Sequence, residues 1–429
     1  MNKKNFLKVY YFIIPILVIG VSFGYTTFAL SLLALIPLLF ILSHHTIGVF
    51  FLMYGGPLAG IIREVYPAIP IYGLMLEFLG IILIWDEIKD LLHYNNKALF
   101  GIILVLLTFG FFYAIGPRDP FSSEKYFNIC VHGLLMLFGY YVYDKSMKIE
   151  TEGITQLLLT SSILMFCYVI NTVKINPGGF FDYNWFRTQY TTWWYANNME
   201  GTLVGYQHIG MLILFATTIF FSQIKLKPGP VIFYLVCSGQ LVLMSGCRQA
   251  IFGVALVLIV RYSIFKEENI EQGISMRRLF PILISLAVAT IVVFLLLEKL
   301  QISSVSNTIE EGDSGRMILY LQALSIFGDN PLLGAGIGGY HAITEEVYPH
   351  NFFLELLCET GLIGTLLALL FLIVPLIRKK QGLLHLTATK QFYFLIVFGI
   401  FVRVMVSSDL KESIELFSAI FAITASKTN

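Results

Sequence analysis

Residues 98–115 read A-L-F-G-I-I-L-V-L-L-T-F-G-F-F-Y-A-I and contain no charged side chain. A stretch of this kind can cross the hydrocarbon core of a membrane as a helix, which takes about 20 apolar residues. The rest of the chain has the same character, since 57% of its 429 residues are hydrophobic and 13% are charged. A soluble domain carries about 25% charged residues. The composition therefore indicates an integral membrane protein and excludes a soluble enzyme, a disordered chain and a secreted disulfide scaffold.

Apolar stretches of spanning length recur along the whole chain and predict about fourteen transmembrane helices. The connections between them are short, except for residues 174–201 and 298–351. We therefore expect an all-α fold, a polytopic membrane helix bundle that forms one multi-pass domain over residues 1–429 and carries two long loops. The predicted spans are centred near residues 17, 34, 54, 77, 106, 135, 164, 211, 237, 257, 288, 363, 399 and 418.

The distribution of basic residues predicts the orientation of the chain. Cytoplasmic loops are enriched in Lys and Arg. With a cytoplasmic N-terminus, the Lys-rich segments 86–97, 144–153, 222–230, 266–278 and 377–391 all lie inside, and both long loops face outward. The chain has 28 basic and 27 acidic residues, a net charge of +1, so its charge gives no indication of nucleic-acid binding.

Three arginines on the predicted outer side are candidates for anion binding. Arg187 lies in the first long loop, Arg248 in the turn S-G-C-R-Q-A (245–250) and Arg316 in the second long loop. Arg248 and Arg316 are each predicted near the start of a helix, where backbone N–H groups and the helix dipole favour an anion. Arginine also binds phosphate through two hydrogen bonds. Anchoring of these side chains to lipid head groups is the alternative.

A short helix is predicted to begin near Arg316. Asp313 or Ser314 can cap this helix, and the stretch from Gly328 to Pro331 ends it. The helix is too short and too polar at its ends to span the membrane. We therefore expect it to lie along the outward-facing membrane interface.

The first long loop contains a run of aromatic residues over positions 179–195. Trp185, Trp193 and Trp194 lie in this run, and the whole chain has four tryptophans. Aromatic side chains accumulate at membrane interfaces, so an interfacial belt is one interpretation. The other is a platform on which sugar rings stack. Composition alone does not decide between the two.

The second long loop leads into a membrane helix that carries two carboxylates. Pro349 ends the loop, His350 and Asn351 lie at the mouth of the next span, and Glu355 and Glu359 follow at i, i+4 on one helical face. Charged residues in a membrane helix are costly and face the bundle interior or a water-filled cavity. This group of side chains is therefore the best candidate for a catalytic site.

These segments resemble the superfamily of O-antigen polymerases and O-antigen ligases, which are membrane glycosyltransferases. The resemblance rests on P-H-N-F-F-L-E-L-L-C-E-T-G-L-I-G (349–364), on S-G-R (314–316) and N-P-L-L-G-A-G-I-G-G-Y (330–340), and on the arginine turn at 245–250. It covers the C-terminal part of the chain, residues 202–429. The resemblance implies a fold of many membrane helices and a reaction at the outer face of the bacterial inner membrane. There, a glycan carried on a polyprenyl diphosphate such as undecaprenyl diphosphate is transferred to a sugar hydroxyl.

The resemblance also implies roles for the candidate residues. His350 would act as the general base, and Glu359 would orient it or act in its place. Arg248 and Arg316, with Arg187 in addition, would bind the diphosphate. No metal, cofactor or nucleotide sugar is implied at the site, and the sequence shows no His or Cys at metal-ligand spacing. The residues expected to contact the glycan are Trp185, Trp193, Trp194, Tyr340 and Asn351.

Three activities are compatible with these features. The leading interpretation is a polymerase that transfers the growing glycan onto another lipid-linked repeat unit, with membrane lipid and a chain-length regulator protein as further candidate partners. A ligase that moves the finished glycan to lipid A-core or to a protein is the first alternative. The second is a lipid-oligosaccharide flippase or other transporter. Transporters place ionisable residues and broken helices near the bilayer midplane, whereas the informative charges here are predicted at the outer rim.

Overall fold

Every regular element in the described part of the chain is a helix. The computed structural model describes residues 43–65, 73–94, 96–142, 247–264, 316–378, 397–404 and 409–425, together with some helical residues between 210 and 239. In chain order the helices are α1 (His44–Val65), α2 (Gly73–Leu83), α3 (Trp85–Tyr94), α4 (Asn96–Ile115), α5 (120–142), α6 (Arg248–Ile264), α7 (Arg316–Asp329), α8 (Gly339–Thr344), α9 (Phe352–Arg378), α10 (397–404) and α11 (Leu410–Ala425).

The predicted all-helical fold is thus confirmed for these residues, whereas the predicted count of about fourteen spans is not. Two described helices are long and apolar enough to cross a membrane, α4 over Asn96–Ile115 and α9 over Phe352–Leu376. The predicted spans near residues 17, 34, 164 and 288 lie outside the described residues, and so does the whole first long loop, 174–201.

Helix α4 has the surface of a membrane helix. Large apolar side chains are exposed on one side, with Phe100 at 67% and Leu107 at 64% exposure. The opposite side is buried, for example at Ile102, Val105 and Phe109. Because lipid is as apolar as these side chains, a helix that exposes Phe and Leu along its length is suited to a bilayer and poorly suited to water.

One predicted connection is different in the structure. Residues 86–97 are predicted as a short cytoplasmic turn, but most of this segment forms α3 (Trp85–Tyr94). Asp86 and Glu87 lie in the first turn of α3, where negative charge is favourable. Lys89 pairs with Asp86 at 3.2 Å on the exposed surface. The charged residues that mark the connection therefore also stabilise a short helix.

The described helices belong to two compact units. The first contains α1, α2 and α6. In this unit, glycines allow α1 and α2 to approach closely, since a Cβ atom on Gly80 would lie 2.8 Å from the carbonyl oxygen of Gly48. The second unit contains α3, α4, α5, α7, α8, α9 and α11.

Aromatic and polar contacts fix the core of the second unit. The ring of Phe417 on α11 lies between Phe109 on α4, at 6.1 Å between centroids, and Phe352 on α9, at 6.3 Å. The hydroxyl of Ser418 donates a 2.7 Å hydrogen bond to the carbonyl of Gly133 on α5. Helix α11 thus contacts α4, α5 and α9, which are the helices that position the candidate site.

Helix α9 is broken at Gly361, whose backbone is non-helical (φ 61°, ψ −167°). We refer to residues 352–360 as the first half of α9. A break leaves carbonyl and N–H groups without their helical partners. In a membrane helix such groups must be bonded by another part of the protein.

Residues 331–338, the glycine turn, supply those partners. The backbone hydrogen bonds between the turn and the break are Ala335 N to Cys358 O (2.8 Å), Gly336 N to Glu359 O (2.8 Å), Leu362 N to Pro331 O (2.8 Å) and Ile363 N to Leu332 O (3.1 Å). Gly336 has a positive φ of 84°, and a Cβ atom on it would lie 2.1 Å from the Cα of Gly116. Glycine is therefore required here by both conformation and space.

Candidate active site

His350 lies immediately before the first half of α9 and has an unusual backbone. Its φ is 54°, a left-handed conformation that non-glycine residues seldom adopt. Its ring is half-buried and lies 4.3 Å from the ring of Tyr348, centroid to centroid. Strained backbone of this kind tends to occur where a side chain is held for function.

Asn351 forms the cap between His350 and the helix. Its side-chain oxygen accepts hydrogen bonds from the backbone N–H groups of Phe353 (3.0 Å) and Leu354 (3.1 Å). These contacts satisfy two of the free donors at a helix N-terminus. The prediction that the span begins just after Asn351 is confirmed, since α9 begins at Phe352. Glycan binding by Asn351 stays a prediction.

The surroundings of His350 favour its neutral form. Burial lowers the pKa of His350 below the usual value of 6.5, and the nearby cation of Arg316 lowers this pKa further. The imidazole is therefore predominantly neutral at neutral pH. A neutral imidazole can accept a proton, and a fixed cation beside it can bind an anion.

The helix positions predicted for two arginines are confirmed. Arg316 is the first residue of α7, which ends at Asp329, and Arg248 is the first residue of α6. The backbone at each position can therefore contribute to anion binding. Diphosphate binding by Arg248 and Arg316 stays a prediction. Arg187, predicted for the same role, lies outside the described residues, as do the candidate cap residues Asp313 and Ser314.

The two glutamates of α9 bind one lysine. Lys125 on α5 lies 2.6 Å from Oε1 of Glu355 and 2.8 Å from both carboxylate oxygens of Glu359. Lys125 is 4% exposed, and the glutamates are fully buried. We call these three residues the lysine cluster. The predicted i, i+4 arrangement is confirmed, because both carboxylates reach the same ammonium group.

Glu359 also contacts the glycine turn. Its Oε1 atom accepts a 3.1 Å hydrogen bond from the N–H of Gly338. A Cβ atom on Gly338 would lie 2.0 Å from the hydroxyl oxygen of Ser122 on α5, so this turn packs directly against the helix that carries Lys125. The side chain of Glu359 is thus directed to Lys125 and Gly338. Orientation of His350 by Glu359 stays a prediction.

Lys125 is the residue that sequence reasoning missed. It lies 230 positions before Glu355 in the chain, and no local pattern relates the two. One signal was present: two carboxylates on the buried face of a membrane helix require a compensating cation. Lys125 stands at the start of a predicted span on the same side as the second long loop, which makes it the natural candidate.

The predicted sugar contacts have different positions. Tyr340 on α8 is fully buried in a cluster with Ala323, Ile326 and Cys358. Burial raises the pKa of Tyr340 to about 12, so its hydroxyl stays protonated and donates to α7, at the carbonyl of Leu319 (3.4 Å). The structure thus shows Tyr340 joining α8 to α7, and glycan binding by this residue stays a prediction. Three further predicted contacts lie outside the described residues: Trp185, Trp193 and Trp194.

Part of the chain is similar to a known protein family. A protein-family model described as O-antigen ligase matches residues 233–369. The matched segment includes α6 with Arg248, α7 with Arg316, the glycine turn, His350 and most of α9. No curated protein matches the chain. Residues 233–369 of this chain are therefore similar to the O-antigen ligase and polymerase superfamily.

Proposed function

We propose that this protein is an O-antigen or related surface-polysaccharide polymerase of the bacterial inner membrane. It transfers a glycan from polyprenyl diphosphate, for example undecaprenyl diphosphate, to a sugar hydroxyl of another lipid-linked repeat unit at the periplasmic face. The observation that carries the proposal is the position of His350, which lies in a left-handed backbone conformation immediately before α9. Burial and the positive charge of Arg316, the first residue of α7, both lower the pKa of His350. We propose that His350 is the proton acceptor and that Arg316 binds the diphosphate.

The proposed step is a single displacement. The acceptor hydroxyl oxygen forms a bond to the anomeric carbon of the donor glycan, and the bond from that carbon to the diphosphate oxygen breaks. The hydroxyl proton passes to His350, and polyprenyl diphosphate leaves with the bonding electron pair. General-base assistance of this kind contributes typically about 10²–10⁴-fold to a rate.

Fixed cations are proposed to stabilise the leaving diphosphate. Its negative charge grows as the glycosidic bond breaks, so a positioned guanidinium lowers the barrier. Arg316 is assigned this role because its charge acts on His350, while Arg248 and Arg187 are assigned it from the sequence. We propose that these side chains replace a metal ion. The purified protein is then expected to keep its activity in excess EDTA.

A ligase is the second candidate function. The matched family model carries the description O-antigen ligase, and a ligase would use the same donor and the same leaving group. It would differ in its acceptor, which would be lipid A-core or a protein. The assignment therefore depends on which acceptor the protein uses in the cell.

Deletion of the gene in the native host tests the proposal, with surface glycan and lipid-linked intermediates as readouts. A polymerase predicts collapse of a glycan ladder to core plus one repeat unit. Loss of all repeats from the core, with lipid-linked polymer accumulating, would identify a ligase instead. Accumulation of unpolymerised lipid-linked units on the cytoplasmic face would identify a flippase. An unchanged surface glycan would contradict all three.

Complementation with variants connects that test to the site. His350→Ala is expected to reproduce the deletion pattern. The matched control is His341→Ala, because His341 lies nine positions earlier in the same loop region, on α8, and packs on Phe121 at 3.9 Å. The control is expected to restore the ladder. Equal complementation by both variants would contradict a role for His350.

A further inference from the structure

Lys125 joins three segments of the second unit. It lies on α5 and binds both glutamates of the first half of α9, and one of these glutamates binds the glycine turn. We propose that Lys125 is a positioning residue, which holds the first half of α9 in the orientation that presents His350 to the substrate. The role in catalysis rests on the proposed function, whereas the positioning itself does not.

The break at Gly361 is the first reason. Because the backbone is non-helical at this residue, the first half of α9 is not a rigid continuation of the residues that follow it. A nine-residue helical segment (352–360) is too short to hold its own orientation in the way that a continuous membrane helix does. The orientation of this segment must therefore come from tertiary contacts.

The geometry of the lysine cluster is the second reason. Glu355 and Glu359 are one turn apart on the same helical face, and Lys125 binds both. Two attachment points one turn apart fix the rotation of the helix about its axis, whereas a single point does not. Asn351 caps this same helix and His350 precedes it. A rotation of the first half of α9 would therefore move His350.

The chemistry of the cluster is the third reason. Buried ion pairs gain little net stability over apolar contacts, because the charges lose their hydration. They do impose direction, since an ammonium group must point at its acceptors at hydrogen-bond distance. Lys125 has three acceptor contacts of 2.6–2.8 Å, all on α9. Such a cluster is well suited to hold one orientation and poorly suited to add stability.

The test measures the accessibility of position 350 without using substrate. His350→Cys is labelled with a membrane-impermeant maleimide in the parent and in the neutral variant Lys125→Met/Glu355→Gln/Glu359→Gln. The same variants with His350 retained give the background from the five native cysteines. The neutral variant removes all three charges of the lysine cluster together. Its folded yield and thermal midpoint are measured first.

We expect position 350 to be labelled about tenfold faster in the neutral variant, which corresponds to about 1.4 kcal/mol of lost local stability. Glu355→Gln is the control. Its amide oxygen can still accept a hydrogen bond from Lys125, so both attachment points remain, and this variant is expected to keep the parent rate. An unchanged labelling rate in a folded neutral variant would overturn the proposal.

A second variant keeps the test valid if the neutral variant does not fold. Glu359→Gln leaves Lys125 and Glu355 as a balanced pair but weakens the attachment at the glycine turn. We expect its labelling to be faster than that of Glu355→Gln. Labelling of Glu359→Gln at the parent rate would overturn the proposal.

Kinetics with His350 in place then distinguish positioning from folding. The folded neutral variant is expected to lose about 10²-fold in kcat, as a misplacement of about 1 Å can cause, with little change in KM for the donor. An unchanged kcat would contradict the role in catalysis. If the wild-type protein transfers no glycan, the proposed function fails while the labelling result still decides the positioning.

Discussion

Glu359 binds Lys125 through both of its carboxylate oxygens, at 2.8 Å each, whereas Glu355 uses one oxygen at 2.6 Å. The Oε1 atom of Glu359 also accepts a hydrogen bond from Gly338, while the buried Oε2 atom of Glu355 has no hydrogen-bond partner among the described residues. The two glutamates of α9 therefore have unequal roles. Glu359 needs a full carboxylate, and Glu355 needs one acceptor.

This inequality predicts unequal effects of isosteric amides. Glu359→Gln loses charge-assisted hydrogen bonds and should lower the free energy of unfolding by about 1.5–3 kcal/mol. Glu355→Gln keeps an acceptor for Lys125, and its amide group replaces an oxygen that has no hydrogen-bond partner among the described residues. We expect a smaller loss for it. Thermal unfolding of both purified variants measures the difference, and an equal or reversed order would contradict the hydrogen-bond assignment.

The break in α9 predicts a strict requirement for glycine at position 361. Gly361→Ala would place a Cβ atom 2.4 Å from the carbonyl carbon and oxygen of Leu332, at a positive φ of 61°. Left-handed backbone alone costs about 1–3 kcal/mol for a non-glycine residue, and the overlap with Leu332 adds to it. We expect little folded protein, measured as monodisperse yield after purification.

Gly328→Ala is the matched control for that variant. Gly328 lies within α7, and a Cβ atom there would meet nothing within 4 Å. The substitution should be neutral or stabilise the protein by about 0.4–1 kcal/mol. Equal yields of folded protein from both alanine variants would contradict the requirement for glycine at position 361.

The environment of His350 predicts the pH dependence of transfer. A general base works in its deprotonated form, and burial together with Arg316 lowers the pKa of His350. Activity should therefore stay high through neutral pH and fall only below about pH 6.5, the ordinary value for His. The profile of kcat/KM against pH, which reports the free enzyme, measures this fall in activity at low pH, the acid limb of the profile. A limb centred above pH 7 would contradict the assignment.

Substitution of Arg316 should move the same limb. Arg316→Gln removes a positive charge near His350, so the pKa of His350 should rise and the acid limb should shift to higher pH. Arg316→Lys keeps the charge and should leave the limb in place, even if its rate is lower. A limb at the same pH in both variants would show that Arg316 does not influence the base.

The exposed face of α7 predicts contact with lipid. Met317, Ile318 and Leu321 are each more than half exposed, although α7 lies outside the predicted spans. In a background with the four native tryptophans changed to Phe, Leu321→Trp should be quenched by lipids brominated near the head group. Leu370→Trp, on the exposed side of α9, should be quenched by deeply brominated lipids. Quenching of Leu321→Trp by aqueous acrylamide alone would contradict an interfacial α7.

Much of the site follows from local sequence. The sequence predicts that the loop ends at Pro349 and that Asn351 lies at the mouth of the next span, and the helix does begin at Phe352, where Asn351 caps it. The spacing of Glu355 and Glu359 predicts a shared face, because four residues make about one helical turn. Both predictions depend only on neighbours along the chain, and the structure confirms both.

The features that were not predicted depend on distant residues. Lys125 and Glu355 are 230 positions apart, so helical periodicity cannot relate them. The break at Gly361 depends on the glycine turn, which replaces the missing backbone partners. Among the 35 glycines of the chain, nothing local marks Gly361 as the one where a membrane helix is interrupted. Tertiary packing determines that the helix is interrupted at Gly361.

The central claim is tested most directly by glycan transfer with purified protein in lipid nanodiscs, supplied with lipid-linked repeat units. The wild-type protein is predicted to form glycans of two or more repeats and to release one polyprenyl diphosphate for each new bond. His350→Ala, folded to the same thermal midpoint, is predicted to be slower by about 10²–10⁴-fold. Transfer by His350→Ala at the wild-type rate would contradict the account.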